Sequence, residues 1–262
     1  MDLELTGKTA VVTGASRGIG LAVAQALTDE GVRVVGGART VTPELEKVSV
    51  AAVSADLSST EGIAALFGAA QAELGGIDIL INNVGGGDVD QMTLGGFLDI
   101  PDEQWDRIFE LNLMSAVRAT RAALPSLIER RGAIVTISSI NAHLPAVGPV
   151  AYSEAKAALT SFSKRISEEF GPRGVRVNTV SPGVVGTPLW REAGRFGAKV
   201  AEVSGVGHEE FLAALPKQFG IASERITEPE EVGALVAFLA SGRAGNILGA
   251  DYVIDGGTLK VM

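Results

Sequence analysis

Seven short runs of aliphatic and β-branched residues recur along the chain: Thr9–Val12, Val32–Val35, Val50–Val53, Ile77–Ile81, Ala133–Ile137, Val175–Val180 and Tyr252–Ile254. They alternate with amphipathic, alanine-rich stretches, and this alternation constrains the fold more than any other feature. A strand followed by a crossover helix returns parallel to itself with the helix packed on the sheet. Runs such as AIVTI and IDILI stay apolar at successive positions, as strands do when helices cover both sheet faces. Gly20–Glu30, Thr60–Leu74, Asp102–Arg130, Tyr152–Phe170 and Pro229–Ser241 show the helical spacing, with Pro101 and Pro229 at helix starts. The reading is an α/β chain with a doubly wound, seven-stranded parallel sheet and helices on both faces.

The 262 residues suit one large domain spanning 1–262. Thr187 to Ser223 interrupts the alternation with scattered Phe, Trp and Gly, and reads as a mobile substrate lid. The net charge of −9 disfavours nucleic acid and anionic membrane surfaces as partners. With no cysteine, thiol chemistry and thiolate metal sites are excluded, and His143 and His208 lack metal-ligand spacing, so no metal is expected. The acidic start MDLELTGK is unlike a secretion signal, and the charge-free stretch Gly132–Ser153 is too polar to span a bilayer. A cytoplasmic location is the expectation.

Directly after the first strand comes Thr13-Gly14-Ala15-Ser16-Arg17-Gly18-Ile19-Gly20, opening a helix. Gly14 permits the sharp turn, Gly18 lets backbone approach a pyrophosphate, and Gly20 lets helix and strand pack closely, with the helix N-terminus facing the anion. The spacing is GxxxGxG, and a dinucleotide is implied. Where NAD binders carry an acid for the ribose 2′-hydroxyl, the second strand ends in Gly36-Gly37-Ala38-Arg39-Thr40. Arg39 and Arg17 can instead present guanidinium forks to a 2′-phosphate, so NADP(H) is favoured, with NAD(H) as the alternative.

Past the fifth strand, Ser138-Ser139 is followed by Tyr152-Ser153-Glu154-Ala155-Lys156 at a helix start. Tyr152 and Lys156, four apart, project from one helix face. A tyrosine with its ordinary pKa near 10 is a poor acid at neutral pH, and the Lys156 ammonium can stabilise its phenolate. Lowering that pKa by about 3 units takes about 4 kcal/mol of differential interaction.

These motifs together resemble the classical short-chain dehydrogenase/reductase family over essentially the whole chain. TGASRGIG at 13–20, Asp56-Leu57, NNVG at 82–85, Asn112, ISS at 137–139, YSEAK at 152–156 and SPGVVGT at 181–187 occur in the family's order. Val84 stands where the family usually has alanine. The resemblance implies a Rossmann-like, NAD(P)-binding domain in which Asp56 and Leu57 meet the adenine and Asn83 and Gly85 line the adenosine ribose. It further implies that Lys156 bonds the nicotinamide ribose, and that Pro182, Gly183, Val185 and Thr187 clamp the carboxamide. Ser16, Ile19 and Thr40 join the cofactor set on the same ground. The implied chemistry is hydride transfer between the nicotinamide and a carbonyl carbon or secondary alcohol, with Tyr152 as proton donor and Ser139 orienting the oxygen. Asn112 would hold a water that links Lys156 to solvent.

His143, Leu144, Pro145, Val147, Gly186, Leu189 and Trp190, with Phe196, Phe211 and Phe219 in the lid, suggest an apolar substrate wall. The Gly85–Asp88 loop and the Met92–Phe97 stretch would widen or gate the cleft. The alternative within the family is a 3-oxoacyl-carrier-protein reductase, with Arg130, Arg131, Arg173 and Arg176 as a basic patch for an acidic carrier. A non-catalytic dinucleotide-binding protein would have lost Tyr152, Lys156 or Ser139, and none is lost. The resemblance also implies a homotetramer, or a dimer, through the Asp102–Arg130 and Tyr152–Phe170 helices and the Leu248–Met262 tail.

Overall fold

A computed structural model describes residues 2–86 and 95–260. Seven strands form one parallel sheet: β1 (Thr9–Thr13), β2 (Arg33–Ala38), β3 (Ala51–Ser54), β4 (Ile79–Asn82), β5 (Ala133–Ile137), β6 (Arg176–Pro182) and β7 (Asp251–Ile254). Their order is β3-β2-β1-β4-β5-β6-β7, with Val12 in register with Gly36 on one side and Ile81 on the other. The chain winds outward in both directions from the β1–β4 pair, so the loops leaving those strands diverge and open a crevice at their C-terminal ends.

Ten α-helices surround the sheet among the described residues: α1 (Gly18–Asp29), α2 (Pro43–Lys47), α3 (Thr60–Leu74), α4 (Asp102–Phe109), α5 (Ser115–Arg130), α6 (Tyr152–Phe170), α7 (Pro188–Arg191), α8 (Phe196–Val203), α9 (His208–Gln218) and α10 (Pro229–Ala240). Strand alternation sorts the core into two layers. Ala10 and Val12 join Val23, Leu27, Val232 and Val236 under α1 and α10, whereas Val11 joins Leu66, Ala70, Ala123 and Leu127 under α3 and α5. No helix among the described residues is long and apolar enough to cross a membrane.

Three departures from the sequence reading matter. The expected helix Asp102–Arg130 is broken by a π-helical turn, Glu110–Met114, between α4 and α5. Helix α2 is only five residues long, too short for periodicity to reveal, and is set by Thr42, whose side chain accepts the Leu45 N–H, and by Pro43 in its first turn. Finally, Thr187–Ser223 contains three helices with a hydrophobic cluster of their own, in which Phe196, Phe211 and Phe219 surround Trp190 at ring distances of 5.2, 6.5 and 6.1 Å.

Candidate active site

The glycine turn is bolted to the strand beside it. Thr13 Oγ1 donates to the Ile81 carbonyl at 3.0 Å and accepts the main-chain N–H of Asn83 and of Val84 at 2.9 and 3.2 Å. The Asn83 amide donates to the carbonyls of Thr13 and Gly14, both at 3.0 Å. A methyl group at Gly20 would stand 2.1 Å from the Gly14 carbonyl oxygen, so no larger residue fits between turn and helix. Asn83, expected to serve a ribose, thus uses its amide nitrogen to hold the turn in shape.

A cleft of about 820 Å³ opens over this turn. Gly14, Ser16, Arg17, Gly18, Ile19 and Gly20 form its floor, Arg39, Thr40, Asp56 and Leu57 one end, and Asn83, Gly85, Tyr152, Lys156 and Thr187 the other. Helix α1 begins there with no side-chain cap at its N-terminus, so its first N–H groups face the cleft as anion donors. A methyl group on Gly18 would come within 3.1 Å of Thr187, which brings the exit of β6 against the turn. These features fit a dinucleotide: an uncapped helix end for the pyrophosphate, a cradle that side chains would fill, and basic groups at the mouth. Asp56 is held below its ordinary range chiefly by hydrogen bonds from the Ser58 side chain and backbone, with a smaller contribution from the nearby Arg39 charge.

Pro182, Gly183 and Val185 line not this cleft but an adjoining chamber of about 470 Å³, which shares Tyr152 and Thr187 with it. Ser139 lies on the chamber wall just after β5, mostly buried, with its Oγ accepting the Asn141 N–H at 3.2 Å. Tyr152 opens α6 directly after Ala151, a buried residue at φ 71°, a left-handed conformation that is strained for alanine. Tyr152 also hydrogen-bonds Ser139. One turn on, Lys156 is 2 % exposed, its Nζ donates to the Ile137 carbonyl at 2.9 Å, and it stands 5.8 Å from the centroid of the Tyr152 ring.

The electrostatics differ from the sequence expectation. Burial pushes the Tyr152 phenol up from its ordinary value, the Ser139 hydrogen bond opposing it, and burial pushes Lys156 down to about 8. The ammonium is aimed at the Ile137 carbonyl, so desolvation rather than an ion–phenolate contact sets both groups.

Asn112 is fully buried at the centre of the π turn. Its amide donates to the carbonyls of Gly86 and Ile108 and its Oδ1 accepts the Gly86 N–H, each at 2.9 Å. The wider turn aims the side chain at the loop after β4, and a methyl group at Gly85 would meet both Lys156 Nζ, at 2.8 Å, and Asn112 Oδ1, at 3.0 Å. Asn112 therefore shares the Gly85 pocket with Lys156. Of the loop expected to gate the cleft, Gly85 and Gly86 line it, and residues 87–94 lie outside the described residues.

Some expectations are redirected. His143 pairs with Asp251 at 2.7 Å and does not line the chamber, and Phe211 is buried inside the lid beneath Trp190. Residues not singled out also line the cleft: Thr42, whose hydroxyl donates to the Ser16 carbonyl at 3.1 Å, and Gly194 and Arg195 from the lid. Nothing in the local sequence marks the latter pair, because their place depends on how the lid folds back.

Comparison with known proteins agrees with this geometry. A family model described as enoyl-(acyl carrier protein) reductase matches residues 14–258. The chain belongs to the short-chain dehydrogenase/reductase family. It is thus an oxidoreductase acting on alcohol and carbonyl groups. It is 35% identical over 266 residues to the oxidoreductase UcpA of Escherichia coli K12, covering 97% of this chain and 95% of that protein. It is 32% identical to the 3-oxoacyl-(acyl-carrier-protein) reductase FabG of Vibrio cholerae, over 99% of this chain and all of the relative. A crystal structure of L-sorbose reductase from Gluconobacter frateurii, complexed with NADPH and L-sorbose, superposes with a TM-score of 0.90 at 33% identity, covering 100% of both chains.

Proposed function

We propose that this short-chain dehydrogenase/reductase is an NADP(H)-dependent reductase of a neutral, largely apolar carbonyl compound, running in reverse as an alcohol dehydrogenase. The observation that carries the reading is the meeting of Ser139, Tyr152 and Lys156 where the dinucleotide-shaped cleft joins the chamber. When bound, the nicotinamide supplies or accepts the hydride. Ser139 and Tyr152 hold the substrate oxygen with two hydroxyls, and the proton moves between the Tyr152 phenol and that oxygen. Lys156, one helical turn away and bonded to the Ile137 carbonyl, holds Tyr152 in place beside Ser139, and Asn112, bonded to the Gly86 main chain, shapes the Gly85 pocket next to it.

Preference for NADP(H) over NAD(H) is supported by Arg39 and Arg17 at the cleft mouth and by the lack of an acid at the end of β2. That NADPH occupies the related sorbose reductase is in keeping. The alternative, reduction of a 3-oxoacyl group on an acidic carrier, loses support from the arginines. Arg176 turns inward to the C-terminus of α10, and Arg130 bridges to Asp78 at 3.4 Å. We further take the helical segment 187–223 as the substrate lid and the working unit as a cytoplasmic homotetramer or dimer. The deciding experiment titrates the protein with NADPH and NADH, then follows absorbance decay against ketones, quinones and 3-oxoacyl thioesters. Binding with turnover of ketones is the expected result, and absence of nucleotide binding overturns the reading.

A further inference from the structure

Among the described residues a single carboxamide, that of Asn141, lines the chamber beyond Tyr152. Its lining is largely aliphatic and aromatic, from Val147, Val184, Leu189 and Trp190 among others, and among the described residues no charged side chain lines it. Ser138 bonds Thr160 and the Lys156 carbonyl, Ser139 and Tyr152 bond each other, and Thr187 and Trp190, with one polar side-chain atom each, stand at the joint with the cleft and against the lid phenylalanines. Asn141 differs. Two residues beyond Ser139, it lends its main-chain N–H to Ser139 Oγ, but its carboxamide makes no hydrogen bond among the described residues. Room for that carboxamide comes from Gly148, where a methyl group would stand 2.1 Å from Nδ2.

We propose that Asn141 is a specificity-determining residue, and that the substrate is an uncharged carbonyl compound carrying a second oxygen, hydroxyl or carbonyl, one or two carbons from the reacting carbonyl. The proposal rests on the reductase reading above and names the substrate class of that same site. Asn141 offers both a donor and an acceptor, and its backbone is tied to the hydroxyl that orients the reacting oxygen, so a group it binds lies close along the substrate chain. A chamber without a cation would leave a carboxylate desolvated and unpaired, which selects a neutral second group. A bare hydrocarbon there would instead strand the carboxamide, giving discrimination against plain ketones.

The test measures kcat/KM with saturating NADPH for matched pairs: butan-2-one against 3-hydroxybutan-2-one, cyclohexanone against 2-hydroxycyclohexanone, and acetoacetate against its methyl ester. The wild type is expected to favour the hydroxy ketones and the neutral ester by about tenfold or more. Asn141→Leu should bring the hydroxy/plain ratio towards one, and Asn141→Ser should retain part of it, with NADPH titration verifying that each variant is folded. A wild-type ratio near one, reduction of no oxygenated ketone by protein that binds NADPH, a preference for acetoacetate, or an undiminished ratio in Asn141→Leu each overturns the proposal. Failure of the wild type to bind either nucleotide overturns the reductase reading and the assignment of Asn141 with it, and is told apart because it precedes any substrate comparison.

Discussion

Lys156 donates its buried ammonium to the main-chain carbonyl of Ile137 at 2.9 Å, so the helix that presents Tyr152 is fastened to the strand end that presents Ser139. One side chain thus fixes the distance between the two halves of the acid/base pair. It does so at an energetic cost, because burial holds its pKa near 8 in the folded chain against 10.5 for an exposed lysine.

That cost has a pH signature. Between about pH 8 and 10.5 the unfolded chain keeps a proton on Lys156 that the folded chain has released, so stability from this group rises with pH across that window. Below pH 8 the penalty is present in full, at about 3 kcal/mol. Lys156→Met carries no such proton. Urea unfolding of wild type and variant at several pH values should show the stability of the wild type, relative to Lys156→Met, climbing from pH 8 to 10.5. A flat difference would mean the ammonium is already solvated in the fold.

Tyr152→Phe keeps the ring and removes the proton. Turnover should fall by about 10²–10⁴-fold, while the NADPH dissociation constant, read by fluorescence titration, changes by less than about threefold. Turnover close to wild type would remove Tyr152 from the acid role.

At the mouth of the cleft, Arg39→Asp should swing the NADPH/NADH ratio of kcat/KM towards NADH by about 10–100-fold, the worth of a lost charge-assisted contact to a 2′-phosphate. An unchanged ratio would place the phosphate elsewhere.

Arg176 predicts a stability effect with no catalytic counterpart. Its guanidinium donates to the carbonyls of Leu239, Ala240, Ser241 and Ala244 at 2.8, 3.1, 3.0 and 3.2 Å, gathering the end of α10 and the turn that follows it. Arg176→Leu should lower unfolding free energy by about 3 kcal/mol, since the helix end is left without donors. Denaturant melts check this, and a change below about 1 kcal/mol would mean solvent replaces the guanidinium.

Gly20→Ala should prevent nucleotide binding by distorting the turn, because its methyl would stand 2.1 Å from Gly14 oxygen and 2.5 Å from Asn83 Nδ2. A variant that binds NADPH normally would show that the turn can open without losing its form.

The sheet and the glycine turn were legible because each rests on local chemistry: aliphatic strands covered on both faces, and glycines where Cβ atoms collide. Ser139, Tyr152 and Lys156 were legible by their spacing from a strand end and along one helix. What escaped depends on contacts distant in sequence. Asn83 could be placed after β4, but its amide is claimed by a turn some 70 residues away. Residues 110–114 read as ordinary helix, since a π turn has no composition of its own. Arg195 reaches the cleft only through the packing of the lid. The tyrosine–lysine field was misjudged because spacing gives proximity but not the direction in which an ammonium points.

The π turn at Glu110–Met114 means that the chain carries one residue more than an unbroken helix along the same path would hold. Deleting any one residue there would let the two flanking helices fuse in a regular hydrogen-bond pattern. Asp102–Phe109 would stay on its path, with Ile108 and Trp105 still packed on Ala151 and Ala155, but the side chain that now leaves the widened turn as Asn112 would lose its aim at the Gly86 loop. Such a shortened protein would have a better helix and a worse active site, so in this stretch function depends on the number of residues as firmly as on their identity.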